Sequence, residues 1–311
     1  MEFLELNNAK LMERLPQTVR VNMGETVTGL KFVGGGSYGR VFKGTLPKSG
    51  KKIILKAYRR KGLQNEEAEQ LEMLRRHTSV KMPEVYFTHE DENTAVLAMS
   101  FIEGENAMNP KFILKSKERK SDFAFQVIDG MLGWHSVKNN RYGFLKNPES
   151  GSWKTFYLED FFEPRIEGLK ALCRDGKYPE KDLERLITGA EIFRKEVAEP
   201  EAPVLIHGDL NIMNIMVDPK TMRVNGFIDP LDTMWADREY DLFQLRNMWG
   251  DKFGLFDEYK RRVKLSDDVG FKLAFYGAVN EASCRLRSGA SIHFFEKLWN
   301  DRLEKAIKTY R

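Results

Sequence analysis

The chain has 311 residues, of which 41% are hydrophobic and 31% charged, with both signs interspersed and a net charge of only +4. That length predicts two lobes, since it exceeds a typical small domain, and so small a net charge argues against a dedicated nucleic-acid binder. No apolar run reaches the length of a membrane span, the acidic start Met1–Leu6 lacks the features of a signal peptide, and the two cysteines, Cys173 and Cys284, stand far apart, so a reduced, cytoplasmic setting is expected.

Taken in chain order, Leu4, Leu11 and Leu15 predict an N-terminal helix. Lys31-Phe32-Val33 and Arg40-Val41-Phe42-Lys43 then flank a glycine cluster as two strands. A turn with Pro47 and Gly50 leads into a third strand, Ile53–Tyr58. Arg59-Arg60-Lys61 reads as solvated surface, as does the mixed run Lys115–Lys120. Gln64–His77 has helical spacing, and Glu84–Thr88 and Ala95–Phe101 add two strands. After Gly104 the amphipathic segments near 119–137, 154–174, 180–198, 238–248 and 266–309 predict helices, interrupted by a β-rich stretch from Val204 to Asp229. The fold class expected is α+β, with an N-terminal antiparallel sheet plus helix over 1–104 and a mainly helical lobe over 105–311. The boundary falls at Phe101–Asn106, and a cleft between the lobes is the expected ligand site.

Five signals carry chemistry. Gly34-Gly35-Gly36-Ser37-Tyr38-Gly39-Arg40-Val41 satisfies G-x-G-x-x-G-x-V, a loop in which Gly34, Gly36, Ser37 and Gly39 let backbone N–H groups approach phosphates. A dinucleotide site needs a helix after such glycines, and a β-like stretch follows here instead. Lys56 ends the apolar run Ile53-Ile54-Leu55, placed to meet phosphates. Leu63, Glu67, Leu71 and Leu74 share one helical face, so Glu67 lies in an apolar stripe and needs a cation, for which Lys56 is the candidate. A short apolar strand delivers His207-Gly208-Asp209, with Asn214 five residues after the aspartate and Asp229 at the end of Gly226-Phe227-Ile228.

Phosphoryl transfer requires a carboxylate that takes the acceptor proton and oxygen ligands that hold magnesium against the phosphates. Asp209 supplies the first; Asn214 and Asp229 supply the second. Each has a structural alternative, because Asp209 can cap a turn, Asn214 can stabilise one, and Asp229-Pro230 is a common turn pair. The five signals occurring in this order favour catalysis. ATP and Mg²⁺ are the cofactors expected, and the acceptor is a small molecule with a hydroxyl group. An atypical protein kinase and a non-catalytic nucleotide-binding protein are the alternatives, the first disfavoured by the lack of D-F-G and A-P-E.

On these residues the sequence resembles the aminoglycoside phosphotransferase and choline kinase group of the protein-kinase-like superfamily, from about Lys31 to Leu245. The most specific points are His207-Gly208-Asp209 with Asn214, Ile228-Asp229, and Ala236-Asp237-Arg238-Glu239-Tyr240-Asp241-Leu242. The wording Ile228-Asp229-Pro230 is similar to that of fructosamine (ketosamine) kinases. The resemblance implies a bilobal kinase fold and an aminoglycoside, ketosamine or amino-alcohol acceptor. It also implies Asp241 as a brace of the catalytic loop, Met99 behind the adenine pocket, Phe101 lining it, and backbone groups of Ser100 and Ile102 meeting adenine. Asp251, Glu258, Asp267, Asp268 and Glu281 are acidic residues available to a cationic acceptor, though mixed with Lys and Arg as on a solvated helix surface.

Overall fold

The structure is a computed structural model that describes residues 4, 7–36, 38–288 and 293–310. The strand expected at Ile53–Tyr58 is β3 (Lys52–Tyr58), and its side chains alternate between two environments. Ile53, Leu55 and Ala57 point into one core with Phe42, Val96, Ala98 and the N-terminal helix residues Leu11, Leu15 and Val19. Lys56 belongs to the opposite face. The period of two thus sends the lysine away from the N-terminal helix.

That helix, α1 (Asn8–Met23), covers the outer face of a five-stranded antiparallel sheet. The strands are β1 (Thr28–Gly35), β2 (Gly39–Thr45), β3, β4 (Val85–Glu90) and β5 (Ala95–Ser100), in the order β1-β2-β3-β5-β4. Helix α2 (Leu63–Arg75) packs Ala68, Leu71 and Leu74 into the core shared with Leu97 and Met99. The next segment forms β6 (Glu105–Asn106), which adds to a small sheet, β10-β9-β6, made with the hairpin of β9 (Ile215–Val217) and β10 (Val224–Phe227).

The rest is mainly helical. The short α3 (Pro110–Ile113) leads into α4 (Lys117–His135), whose Phe123, Val127, Ile128, Met131 and Trp134 are buried at helical spacing. Strands β7 (Gly143–Phe144), β8 (Val204–Leu205) and β11 (Met234–Ala236) form a third sheet in the order β7-β11-β8. The helix expected over 154–174 is divided into α5 (Trp153–Thr155), a π-turn at Phe156–Phe162 and α6 (Glu163–Arg174). Pro164 cannot donate to the helical ladder there, and Glu163 N–H reaches back to the Leu158 carbonyl instead.

Helix α7 (Glu180–Glu196) matches its expected span. The segment expected as helix over 238–248 is a 3₁₀ run, Arg238–Arg246, whose acidic side chains are drawn into tertiary partners. Helix α8 (Leu255–Arg262) was not anticipated, because with only Leu255 and Tyr259 buried it is too short to show a period. The segment 266–309 holds two helices, α9 (Val269–Ser288) and α10 (His293–Lys308), packed on one another. Among the described residues, no helix is long and apolar enough to cross a membrane.

Candidate active site

The loop after β8 turns because Gly208 has φ +80°, and a Cβ there would lie 1.9 Å from the Leu231 carbonyl oxygen. No L side chain fits that approach. Gly208→Ala is therefore expected to cost at least about 2 kcal/mol through left-handed strain and the clash together, read as a lowered midpoint in thermal unfolding. The loop is held from beneath by Asp241, which is fully buried. Its carboxylate accepts from the backbone N–H of His207 (2.9 Å) and Gly208 (2.7 Å) and lies 3.2 Å from His135 Nε2. Burial would raise the Asp241 pKa, but the donation from His135 and the loop outweighs it and holds the group below the usual carboxylate range. Burial pushes His207 down to about 4, so its ring is neutral.

Asp209 emerges from this loop with Asn211 Nδ2 at 2.8 Å from Oδ1 and Asn214 Nδ2 at 3.0 Å from Oδ2. Burial first, and then the nearby charge of Asp229, push its pKa up to about 8, against these two donors and Arg287. The β9–β10 hairpin pairs Ile215 with Phe227, and Ile228 N–H donates to the Asn214 carbonyl at 3.0 Å. This pairing brings Asn214 and Asp229 side by side. Asp229 sits at φ +58°, unusual for a residue with a side chain, and its carboxylate bonds directly to Lys56 Nζ.

The other partner of Lys56 is Glu67 Oε2, at 2.5 Å. Tyr58 OH donates to the same oxygen at 2.6 Å. Burial raises the Glu67 pKa, while burial of Lys56 is overcome by Asp229 and Glu67 so that its pKa is raised. Tyr58 is two residues beyond Lys56 on the same strand face, a period-two signal that could have identified it from sequence.

Lys56, Tyr58, Glu67, Asp209, Asn214 and Asp229 line a cleft of about 540 Å³ beneath the β1–β2 turn, with Gly34, Gly36 and Gly39 along its roof. Gly39 packs so closely that a Cβ would meet the Ala57 carbonyl oxygen at 2.5 Å, whereas Gly34 and Gly36 face open space. Ser37 lies outside the described residues. Ser100 and Ile102 are not among the residues lining this cleft. Ser100 exchanges hydrogen bonds with Glu84, and Ile102 packs against Gly226. Met99 is buried in the core beneath the sheet, and the Phe101 ring carries the Lys43 ammonium 3.5 Å from its centroid. Sequence reasoning missed Asn211, Tyr38, Asp232, Cys284 and Arg287, all near Asp209 or lining the cleft. Asn211 lies two residues from Asp209, but nothing local marks Arg287.

A five-stranded sheet with a glycine turn, a strand lysine paired to a helix glutamate, and a helical part carrying the His207–Asn214 loop define a protein-kinase-like fold. The chain belongs to the phosphotransferase enzyme family (APH), whose family model matches residues 29–269. It is similar to a candidate fructosamine-3-kinase of Thermobifida fusca, at 19% identity and a TM-score of 0.70, covering 94% of this chain and 98% of that one. It is also similar to the aminoglycoside phosphotransferase APH(4)-Ia in complex with AMP-PNP and hygromycin B, at 14% identity and a TM-score of 0.68, covering 95% and 98%. Likenesses at such identities establish the fold.

Among curated proteins it is 25% identical over 182 residues to the uncharacterized protein YcbJ of Escherichia coli K12, covering 56% of this chain and 58% of that protein. It is 38% identical over 78 residues to the streptomycin 3''-kinase of Streptomyces griseus, covering 24% and 28%. The chain thus spans little more than half the length of the first of these relatives.

Proposed function

We propose that the chain transfers the γ-phosphoryl group of ATP to a hydroxyl of a small molecule. Residues 1–104 act as the nucleotide-binding lobe and residues 105–311 as the catalytic and acceptor-binding lobe. The observation that carries this reading is the convergence of Lys56, Glu67, Asp209, Asn214 and Asp229, from four separate segments, on one cleft under a glycine turn. A buried cation held by two carboxylates has no packing role that an apolar side chain would not fill as well. It is suited instead to meet phosphate oxygens.

In this reading Asp209 receives the proton of the acceptor hydroxyl, and Asn211 and Asn214 fix the direction its carboxylate faces. Lys56 donates to phosphate oxygens while Glu67, itself fixed by the Tyr58 hydroxyl, holds its ammonium. Gly34, Gly36 and Gly39, with Ser37 between them in sequence, serve as the phosphate roof; Ser100, whose N–H is given to the Glu84 carbonyl, and Ile102 are left to meet adenine through their remaining backbone groups. Asn214 and Asp229 hold Mg²⁺. The donor set fits this hard cation: Asn214 spends its amide nitrogen on Asp209, leaving its oxygen available, and Asp229 offers a half-exposed carboxylate, so both present oxygen ligands. When bound, the ion neutralises charge on the phosphates. The use of ATP, and a sequence with only two cysteines, Cys173 and Cys284, standing far apart, support a cytoplasmic setting.

The test is ADP release from ATP with a panel of ketosamines, aminoglycosides, amino alcohols and sugars. Chelation with EDTA is expected to stop release and added Mg²⁺ to restore it. Asp229→Asn should raise the Mg²⁺ concentration required for half-maximal rate. Purified protein that does not bind ATP with Mg²⁺ would sink the assignment.

A further inference from the structure

Beyond Asp209 the cleft ends in groups that phosphate binding does not use: Asp232, Cys284 and Arg287, with Tyr38 close by. Asp232 stands between two guanidinium groups, with Arg287 Nη1 at 3.5 Å and Arg165 Nη2 at 4.0 Å from its Oδ2. Arg165 is fixed by the π-turn before α6: its guanidinium lies 3.4 Å from the centre of the Phe161 ring and donates to the Phe161 carbonyl. Arg287 comes from the last turn of α9. Among the described residues, Asp232 is the one carboxylate in ion-pair contact with either guanidinium, although the charge of Arg287 also reaches Asp209 and Glu281.

Arg287 has the donors to spare. Its side chain is 18% exposed, and a guanidinium carries five N–H groups. Among the described residues, its one hydrogen bond runs from Nη2 to the Cys284 thiol at 3.4 Å, a weak acceptor. A mostly buried fork with unmatched donors beside the proton-accepting carboxylate suits bidentate binding of an oxyanion.

The five carboxylates singled out from sequence for a cationic acceptor are engaged elsewhere. Asp251 pairs with Arg246 and Arg302, and Glu258 with Arg261 and Arg262. Asp268 accepts from Ala198 N–H, and Glu281 is buried with Asn247 and Asn280 at its Oε1. Asp267 lines a separate cavity beside Lys264 and Lys272.

We infer that Arg287, assisted by Arg165, binds an oxyanion on the acceptor, so that the acceptor is a small alcohol bearing a carboxylate or phosphate group rather than a polyamine sugar. The inference rests on the phosphotransferase reading above and narrows its acceptor class.

The experiment measures ADP release by the full chain with Mg²⁺-ATP and, at equal concentrations, gluconate, glucose 6-phosphate, glucose, glucosamine or kanamycin. Gluconate or glucose 6-phosphate is expected to raise release above the other three, and the better of the two identifies the oxyanion. In Arg287→Gln the anionic-over-neutral ratio of kcat/KM should fall at least about tenfold, the scale of one lost hydrogen bond to a charged group, and Arg287→Lys should recover part of it.

Preference for glucosamine or kanamycin, or an equal response to all five probes, including none at all, overturns the inference. So does a fall by the same factor for anionic and neutral probes, which would place Arg287 on the transferred phosphoryl group instead. Calorimetric binding of Mg²⁺-ATP, measured on the same preparation, separates the two levels of claim. Without it the phosphotransferase reading fails and this inference with it; with it and no anion preference, only this inference fails.

Discussion

Asp209→Asn is expected to lower turnover of any accepted alcohol by roughly 10²–10⁴-fold, the contribution of a positioned general base, while Mg²⁺-ATP binding persists. The substitution keeps the shape of the side chain but removes the oxygen that takes the proton. It also has an opposite effect on stability. With its pKa pushed up to about 8, chiefly by burial, Asp209 binds its proton more tightly in the folded protein than in the unfolded chain. The nucleotide-free wild type therefore loses stability as pH rises from about 4 towards 8, a loss that the variant does not share. The difference in thermal midpoint, variant minus wild type, should accordingly increase between pH 5 and pH 9. Unchanged turnover would remove Asp209 from the base role, and a difference that shrinks with pH would contradict its burial as an unwilling carboxylate. Such opposed effects are common where a site is built for chemistry rather than stability.

Asp241→Ala is expected to be among the most destabilising single changes in the chain, by about 3–5 kcal/mol, because it strips the partner from buried donors. The N–H groups of His207 and Gly208 would both lose their acceptor, as would His135 Nε2. Chemical denaturation at pH 7 should show the loss directly. The folded pKa of Asp241 is depressed, so its contribution is fully present above the ordinary carboxylate value and disappears as pH falls through the folded value. Wild type and variant should therefore converge in acid. Activity should fall together with stability, since the same contacts hold the backbone from which Asp209 projects. Asp241→Asn, which keeps one acceptor oxygen, is expected to lie between the two. A variant at position 241 that melts like wild type at pH 7 would exclude the bracing role.

Much of the site was legible because its parts are local. His207 to Asp229 is one strand–loop–hairpin unit in which a carboxylate, an amide and a second carboxylate follow short apolar runs, and hairpin pairing brings Asn214 to Asp229. Lys56 and Glu67 are likewise separated by a single strand-to-helix turn. Each of these placements depends on a strand or helix period acting over a few residues.

The elements misread were those in which tertiary demands override the local pattern. The 3₁₀ run at Arg238–Arg246 turns Asp241 onto the His207–Gly208 loop, while Glu239 and the preceding Asp237 bind the buried ammonium of Lys272. The break at Phe156–Phe162 follows from Pro164 and places Phe161 against Arg165.

Sequence alone determined the fold class, the order of the motifs and the residues suited to phosphoryl transfer, because periodicity and spacing are properties of neighbouring residues. Only the tertiary structure decided what stands at the far end of the cleft. Arg165, Asp232 and Arg287 come from α6, the loop after β10 and the end of α9, and no local pattern relates them. Their electrostatics arise from packing between distant segments, which sets both the low exposure of the Arg287 fork and the single carboxylate it shares with Arg165.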